Sequence, residues 1–587
     1  MSNIKMLKTH HVKCLSNNLL DYDFALHLLN TKITPIALLI LVMPMMLYSN
    51  SVAANNKIQD RPNILLIVAE DMSSHLNSFG DIQASTPNID ELASEGIVYT
   101  NTYTAAGVCS VSRSALITGM YPISIGTQHH STGGFEPKGY EAVPPPEIKA
   151  FPELLRRAGY VTANFAKRDY QFGEPFTIWD IDTGNFLTED APPLWRELPK
   201  DKPFFVMINL MATHESRLMP AGEKADHPFG KNIERLATRR EEIVQKVTNS
   251  KDVTVPPYYP DTTRVRENFA QFYDNIHYMD SQVGQLIEQL KNDNLFANTV
   301  IIWTTDHGDG MPRAKRSVYD SGLHVPMVIT NLKRYKKGIE NNSLISFVDL
   351  APTILTLANV EVPEYLQGRN FLDDNPRQYI YASRDRMDET NNRVRAVRDE
   401  RFLYVRNYDS KSSYYKTNAF RDMFPIMQEL ISGNKNGTLN EVQDYYFMSP
   451  HAEEELYDTA NDPHQIENLA TNNNYQHKLT ELQNALDNWL ATVGDASEKD
   501  ELTMLKLMWP DLRQPQTQPV LVEKSGSKLI LKSQTLGASI SFREELEGVF
   551  TPWQIYTQPV DINLNNKMEF KAIRYGYKES EITFYQP

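Results

Sequence analysis

Downstream of Asn56 the chain alternates short runs of apolar residues with segments in which apolar residues recur every three or four positions. Short apolar runs predict buried β-strands, and the spacing of three and four predicts helices that pack on a sheet. Strands that alternate with helices form βαβ units, in which the strands lie parallel. We therefore predict an α/β domain over residues 60–366, with a large, central, mostly parallel sheet flanked by helices.

Two further segments of this domain have a clear helical pattern. Between Val265 and Leu290 the apolar residues lie on one face of an amphipathic helix, which we interpret as a core-facing stripe. Residues 215–260 are polar and rich in charge. They predict an insertion that contains a helix near 231–247 and borders the functional pocket.

The pattern of strands and helices weakens after about Gln367. The segment VRAVRDERFLYVRNY, residues 394–408, predicts a β-hairpin. We expect residues 367–512 to form a smaller α+β C-terminal subdomain with an antiparallel sheet. Residues 516–587 contain short strand-like runs separated by polar turns, which predicts a β-rich, sandwich-like module. Trp553 and Tyr556 in this module either pack its core or stack on a sugar ring.

Ionisable residues follow four of the predicted strands in the first domain. In open α/β sheets, ligands bind at the carboxyl ends of the strands, so we predict that these side chains share one crevice. Any single one of them could equally be a charged residue that marks where a strand emerges into water. The residues are Glu70 and Asp71 after NILLIVA, Lys167 after VTANFA, His214 after FFVMINLMAT, and Asp306 and His307 after TVIIWTT.

The carboxylates of this set favour a hard divalent cation. Ca²⁺ accepts an irregular set of about six to eight mostly oxygen ligands, whereas Mg²⁺ prefers a strict octahedron that retains water. A catalytic zinc site would want two or three histidines, and only one adjoins these carboxylates. We expect one Ca²⁺ ion, held by Glu70, Asp71, Asp306 and His307.

The charge of the chain narrows the choice of partner. The 587 residues carry a formal net charge of -15. This argues against nucleic acid, because neutralising its backbone requires clustered Lys and Arg. The predicted crevice contains three carboxylates. Their negative charge would be exceeded by the charge of a bound divalent cation together with that of Arg113, Lys167 and Lys315. An acidic protein would then carry a locally cationic pocket that attracts an anionic substrate.

The N-terminal segment predicts export. An apolar stretch from Ile36 to Tyr48 precedes Ser51-Val52-Ala53, a small-x-small cleavage pattern. The stretch is shorter than the roughly 20 residues that a membrane span needs. We predict that residues 1–53 are a cleaved signal peptide, that the protein is periplasmic or secreted, and that it has no stable membrane insertion after processing. A retained signal anchor is the alternative.

Cleavage there would remove Cys14 and leave Cys109 as the sole cysteine, so no internal disulfide could form. Residues 110–118 predict a helix, which puts Cys109 near a helix N-terminus, where free N–H groups and the dipole favour anions. Arg113, four residues on, shares its face. A small buried side chain or an intermolecular bridge would be the ordinary alternatives for such a cysteine.

The run CSVSRSALITG, which begins at Cys109, resembles the signature of the formylglycine-dependent type I sulfatases of the alkaline phosphatase superfamily. The resemblance covers roughly residues 61–470 and implies an alkaline phosphatase-like fold. It also implies that a formylglycine-generating maturation enzyme oxidises Cys109 to 3-oxoalanine, which serves as nucleophile and metal ligand. Similar correspondences recur in TPNIDELASEGIVYTNTY, MATHES, TTDHGDG, KRSVYDSGLHVP and ELYDTANDP.

The same resemblance implies catalytic roles for four other residues. Arg113 would stabilise the nucleophile, and Lys167 and Lys315 would bind the sulfate oxygens. His214 would protonate or assist the leaving group.

Three positions depart from the family pattern. Glu70 stands where aspartate is usual, and Val111 stands where proline or alanine is usual. The segment that typically reads G-K-W-H is here residues 166–169, AKRD, so the second active-site histidine is missing. Asp169 and Tyr170 are candidates for part of its role.

Five residues are candidate substrate contacts: His129, His130, His324, Arg384 and Arg386. The histidines could equally be polar loop or packing residues. The two arginines could bind a uronate or a second sulfate, or could pair with the neighbouring Asp385 and Asp388.

Together these features predict an enzyme that hydrolyses sulfate esters on a sulfated poly- or oligosaccharide. The segment around Lys167 and the RDRMD loop at 384–388 resemble bacterial members that act on ulvan and on N-sulfated glucosamine glycans. Two alternatives are a phosphonate or phosphate monoester hydrolase of the same superfamily, and a non-catalytic protein that binds sulfated glycans.

Overall fold

The computed structural model describes residues 61–130, 139–185, 188, 190–219, 230–562 and 566–586. The predicted signal peptide, residues 1–53, lies outside the described residues. Within the described residues, no helix is both long and apolar enough to cross a bilayer.

A nine-stranded sheet forms the centre of the first domain, in the order β4-β3-β5-β1-β6-β7-β2-β8, with β9 also paired to β2. All its pairings are parallel except those of β7, which runs antiparallel to both β6 and β2. The strands are β1 (Asn63–Ala69), β2 (Gly96–Tyr103), β3 (Val161–Phe165), β4 (Ile181–Thr183), β5 (Phe204–Leu210), β6 (Thr299–Thr305), β7 (His324–Thr330), β8 (Ile339–Asn341) and β9 (Ile345–Ser346).

Both faces of this sheet are covered, which explains why its central strands are apolar throughout. All residues of β1, β5 and β6 are buried. Successive side chains of a strand point to opposite faces. Accordingly, Leu65 and Ile67 belong to one hydrophobic cluster, whereas Ile64 and Leu66 belong to another.

The strand register brings the predicted functional residues to one edge. Ala69, the last residue of β1, is level with Leu210 of β5 and with Thr305 of β6. Phe165, at the end of β3, is level with Ile208. The residues that follow β3, β5, β1 and β6 therefore leave the sheet side by side, as the sequence predicts.

The helices flank the central sheet and also cover parts of the C-terminal region. The long predicted amphipathic helix is α6, and its first turn is capped by the Thr262 side chain, which accepts from the Val265 amide. The helices are α1 (Pro87–Ser94), α2 (Cys109–Thr118), α3 (Pro122–Ile125), α4 (Phe151–Arg157), α5 (Gly230–Ile243), α6 (Thr263–Asn292), α7 (Asp320–Leu323), α8 (Leu350–Leu357), α9 (Pro425–Asn436), α10 (Glu441–Asp444), α11 (Gln476–Val493) and α12 (Glu501–Met508).

A separate four-stranded antiparallel sheet follows, in the order β10-β11-β12-β13. The predicted hairpin is the β11–β12 pair. The helix α11 covers this sheet through a shared hydrophobic cluster that includes Tyr404, Leu456 and Leu486. The strands are β10 (Ile380–Arg384), β11 (Val394–Arg398), β12 (Phe402–Asn407) and β13 (Glu454–Asp458).

The last part of the chain contains two small antiparallel sheets, β14-β15-β19 and β17-β16-β20-β21, with β18 paired to β16. Leu529 and Leu531 from the first sheet share one hydrophobic cluster with Ile540 and Phe570 from the second. The predicted fold class is thereby confirmed. The strands are β14 (Leu521–Ser525), β15 (Lys528–Lys532), β16 (Ser539–Leu546), β17 (Val549–Phe550), β18 (Gln554–Ile555), β19 (Val560–Asp561), β20 (Met568–Ile573) and β21 (Thr583–Tyr585).

Candidate active site

Cys109 is the first residue of α2 and lies at the carboxyl edge of the central sheet. Its Sγ is 3.3 Å from Lys315 Nζ and 3.3 Å from His307 Nε2. Burial raises the pKa of the thiol, and the charges of Lys167 and Lys315 only partly offset that effect. The cysteine therefore sits in a buried, highly charged environment rather than in an apolar core.

Asp71 connects the end of β1 to three other parts of the site. One carboxylate oxygen accepts from Lys315 Nζ at 2.7 Å and from the Glu215 amide at 2.6 Å. The other lies 3.0 Å from His307 Nε2. Burial alone would raise the pKa of Asp71, but Lys315 and His307 hold the pKa well below its usual range. Asp71 is thus a carboxylate.

Glu70, the preceding residue, points to the opposite side of the site. Its two carboxylate oxygens accept from Arg113 and Lys167, and all three side chains are buried. Burial, together with the nearby carboxylates Asp306 and Asp71, raises the pKa of Glu70 to about 7 despite these two cations. Because burial is the largest cause of this shift, the charged form of Glu70 depends on Arg113 and Lys167.

Asp306 and His307 follow β6 and complete the cluster. Asp306 accepts from Arg113 Nε at 3.2 Å and from the Asp71 amide at 3.1 Å. The carboxylates of Asp306 and Asp71 raise the pKa of His307 well above its usual value, although burial opposes this. His307 therefore favours its protonated, positively charged form beside these two carboxylates.

This donor set fits a hard divalent cation. One ligand atom from each of Asp71, Cys109, Asp306 and His307 lies within 4.8 Å of the others. That spread matches ligands around one Ca²⁺ ion, since Ca–O distances are about 2.3–2.6 Å. Ligand atoms of Glu70, Asp71, Cys109 and His214 form a second, overlapping group with the same spread. Four of the predicted ligand residues therefore share one cluster, whereas Glu70 lies in the overlapping cluster with His214.

A chain of buried ion pairs supports Lys315. Glu215 lies 3.0 Å from Lys315 Nζ, and its carboxylate is also held by both terminal nitrogens of Arg316 at 3.1 Å. Arg316 in turn donates to Asp388. Sequence reasoning missed Glu215 and Arg316. In the sequence, each of them directly follows a predicted site residue: Glu215 follows His214, and Arg316 follows Lys315.

His214 begins the short 3₁₀ segment Glu215–Leu218. Its Nδ1 accepts from the Ser216 amide at 3.2 Å, which leaves the ring proton on Nε2. Burial lowers the pKa of His214 well below its usual value, and the charges of Lys315 and Lys167 add to the effect. His214 therefore favours its neutral imidazole form.

Arg113 is fixed from two sides. Besides Glu70 and Asp306, it donates to Asn209 Oδ1 at 2.7 Å. Asn209 uses its own amide group to donate to the carbonyls of Phe165 and Lys167, at 2.7 and 2.9 Å. The sequence analysis did not single out Asn209, although a lone asparagine within the apolar run of β5 was a visible signal.

Comparison with known proteins shows the family to which this chain belongs. The family described as Sulfatase matches residues 62–360, about half of the chain. The chain is 38% identical over 555 residues to an ulvan-active sulfatase from Formosa agariphila, covering 90% of this chain and 92% of that protein. The chain belongs to the sulfatase family.

Other relatives of this sulfatase are more distant. Residues 313–417 match the C-terminal family of N-sulphoglucosamine sulphohydrolase, and the human enzyme of that name is 25% identical, with 73% of this chain and 89% of that protein covered. A solved structure in complex with its substrate D-glucosamine-2-N,6-O-disulfate has a TM-score of 0.53 at 18% identity, covering 75% of this chain and all of that one. At that identity, the likeness supports the fold alone.

The two candidates for the missing histidine differ in position. Asp169 has a positive φ of 57° and places one oxygen 3.7 Å from Lys167 Nζ. Tyr170 is buried and stacks on Phe172. Asp169 is thus the one with a direct link to the sulfatase site.

The candidate substrate contacts fall into different environments. His130 pairs with Asp388 at 3.0 Å, and His129 accepts from the Arg386 amide at 3.3 Å. His324 lies 2.6 Å from the Thr100 carbonyl and stacks on Tyr103, which is a packing role.

Arg386 does not form the ion pairs with its neighbours that the sequence offered as an alternative. Its guanidinium donates to both oxygens of the Glu501 carboxylate in α12, at 2.7–3.0 Å. The Asp385 carboxylate is instead taken by Arg395. Local spacing could not reveal a partner more than a hundred residues away.

Proposed function

We propose that this sulfatase hydrolyses sulfate esters on a sulfated polysaccharide or oligosaccharide, with ulvan as the first substrate to test. The observation that carries the proposal is the convergence of Lys167, Lys315 and His214 with Asp71 and His307 around Cys109. Identity of 38% to an ulvan-active sulfatase supports the choice of substrate.

Oxidation of Cys109 to formylglycine would supply the nucleophile. A Ca²⁺ ion held by Glu70, Asp71, Asp306 and His307 would supply Lewis-acid polarisation of the sulfate oxygens. The formylglycine and the Ca²⁺ ion are both part of the proposal. The buried donor set supports the ion, and the position of Cys109 at the N-terminus of α2 supports the modification.

The protein's own side chains would bind and orient the sulfate group. Lys315, 3.3 Å from the Cys109 sulfur, would contact a sulfate oxygen next to the nucleophile, and Lys167 would do so from the opposite side. Because these cations are buried, their attraction for developing negative charge is weakly screened. Glu215 and Arg316 would hold Lys315 in place.

His214 would act at the leaving oxygen. A neutral imidazole with its proton on Nε2 is able to donate that proton as the ester bond breaks. Asp169, linked to Lys167, would take part of the role of the histidine that residues 166–169 lack.

The proposal includes export and maturation. Residues 1–53 would direct the chain to the periplasm or medium, and a formylglycine-generating enzyme would act on Cys109. At position 111 the buried Val111 packs with Ala106, Val108 and Met387.

The test is release of inorganic sulfate by matured protein, with and without a calcium chelator. We expect release from ulvan or its oligosaccharides, loss of release after chelation, and recovery when Ca²⁺ is restored. Phosphonate and phosphate monoesters serve as counter-substrates. Faster turnover of those esters than of any sulfate ester would favour the monoester hydrolase, and binding without any turnover would favour the non-catalytic alternative.

A further inference from the structure

Arg384, the last residue of β10, is a buried cation without an anionic partner. Its side chain is only 9% exposed, and none of the described carboxylates forms an ion pair with it. Its Nε has no hydrogen-bond partner among the described residues. Buried charges in proteins are normally paired, because an unpaired one loses its hydration without compensation.

Neighbouring arginines in this sheet and in the loop after β10 each have a carboxylate partner. Arg386 forks onto Glu501, Arg395 pairs with both Asp385 and Asp495, and Arg398 pairs with Asp320. Arg384 is the exception within this described group. An anion from outside the chain would complete its environment.

The surroundings of Arg384 contain other arginines and aromatic side chains. Arg316 and Arg421 are among the charges that act on it, together with the phenols of Tyr446 and Tyr319. Burial is the largest effect, and with the two arginines it lowers the pKa of Arg384 to about 10. Arg421 is itself held by Tyr446 and Asp422. Since Arg316 and Arg421 already have carboxylate partners, an anionic ligand would supply the one that Arg384 lacks.

Arg384 also lies beside the nucleophile loop. The amide of Ser383 donates to the carbonyl of Ala105 at 3.0 Å, four residues before Cys109. Met387 packs against Val108 and Val111, which flank the same cysteine.

A second set of contacts connects the surroundings of Arg384 with Cys109. Arg316, one of the charges that act on Arg384, shares Glu215 with Lys315, and Lys315 contacts the Cys109 sulfur. Both sets of contacts connect the end of β10 with the loop that carries Cys109.

We propose that Arg384 binds a second anionic group of the substrate, either a carboxylate or a further sulfate. The inference rests on the proposed function, because it assigns a specificity determinant to that same pocket. A guanidinium presents its N–H groups as a planar fork, which matches the oxygens of a carboxylate or a sulfate in bidentate geometry. Arg386, with its fork already on Glu501, does not share this role.

The experiment compares the substrate preferences of matured wild type, Arg384→Gln and Arg384→Lys. One substrate pair is a sulfated disaccharide that contains a uronic acid and the same compound after reduction of its carboxyl group to an alcohol. The other pair is a disulfated glucosamine and its monosulfated counterpart. For each pair, the readout is the ratio of kcat/KM for the more anionic to the less anionic member.

We expect Arg384→Gln to reduce this ratio by roughly 10- to 100-fold in one pair, which corresponds to one lost charged hydrogen-bonding contact. The change should lie mainly in KM, because binding of a remote group is equal in the ground and transition states. Arg384→Lys should be intermediate, since it keeps the charge without the fork. The pair that responds identifies whether the anion is a carboxylate or a sulfate.

Arg386→Gln is the matched control. It should lower the melting temperature by breaking the Glu501 pair and leave the preference ratios of both pairs unchanged. Arg384→Gln should not lower the melting temperature, because it removes no partner. Unchanged ratios in Arg384→Gln, or a preference that falls equally in Arg386→Gln, would overturn the inference. Failure of wild type to release sulfate from any compound would instead contradict the proposed function.

Discussion

Lys167 and Arg168 are adjacent cations with contrasting environments. Lys167 is buried and contacts Glu70, whereas Arg168 pairs with Glu174 and Asp182 on the partly exposed side of the same loop. We predict that Lys167→Gln lowers kcat/KM for sulfate release by about 100-fold or more, since it removes a buried cation from the site at which we propose that sulfate binds.

Arg168→Gln is the matched control for that measurement. It removes the same formal charge one residue away and should change kcat/KM less than threefold, a range typical of weak surface ion pairs. Equal losses in the two variants would mean that overall charge, rather than the position of Lys167, governs activity.

At the scale of residues, the sequence predicted the site through local patterns. Ionisable residues just after apolar strands indicated Glu70, Asp71, Asp306 and His307, and the structure places them in two overlapping clusters that share Asp71 and Cys109. Partners such as Glu501 for Arg386 could not be predicted, because a long-range ion pair leaves no spacing in the sequence.

Two loops at the carboxyl edge of the sheet are tied together by His75. The imidazole lies 2.7 Å from Asp81 in its own loop and 3.2 Å from Asp309, which follows β6. It also packs edge-on against Phe272 of α6. Burial would lower the pKa of His75, but Asp309 and Asp81 raise it to about 10.

This raised pKa predicts a pH-dependent contribution to stability. Below about pH 6.5 the imidazole is protonated in both folded and unfolded chains, so the pairs contribute fully. Between about pH 6.5 and 10 the unfolded chain loses its proton first, and the contribution disappears as pH passes the folded pKa.

His75→Gln tests this prediction. We expect the free energy of unfolding in urea to fall by about 2 kcal/mol relative to wild type at pH 6, and the difference to vanish near pH 10. The exposed His477→Gln is the control and should match wild type throughout. A wild-type advantage over His75→Gln that stays constant with pH would contradict the account.

At the scale of elements, hydrophobic periodicity was sufficient for the main strands, for α6 and for the β11–β12 hairpin. The order of the strands was not predictable, because it depends on which apolar faces meet after folding. The antiparallel placement of β7 is an example. Its sequence, HVPMVIT, is as apolar as that of a parallel strand.

At the scale of the whole molecule, the C-terminal β-rich part is integrated with the first domain. Glu153 of α4 is buried and accepts from Ser539 at 2.6 Å and from Tyr575 at 2.9 Å. Lys149 donates to the Gly537 carbonyl, and Arg574 donates to the Pro144 carbonyl. We retain the boundaries 60–366, 367–512 and 516–587 as a proposal for domains that fold as one cooperative body.

Truncation tests that cooperativity. A chain that ends at Leu512 should melt several degrees below wild type, because the contacts of Ser539 and Tyr575 with Glu153 are lost. Glu153→Gln should lower the melting temperature of the full chain more than that of the truncated chain, because only the full chain holds these two contacts. Identical melting temperatures for full and truncated chains would mean that the module is an independent appendage.

The proposed reaction depends most directly on the chemical state of Cys109, its nucleophile. The decisive measurement is the mass of the peptide that carries residue 109, from protein made in its native host or beside a competent maturation enzyme. We predict the mass of an aldehyde-bearing residue in place of the thiol. An intact thiol at Cys109, in protein that releases sulfate from its substrate, would contradict the proposed nucleophile.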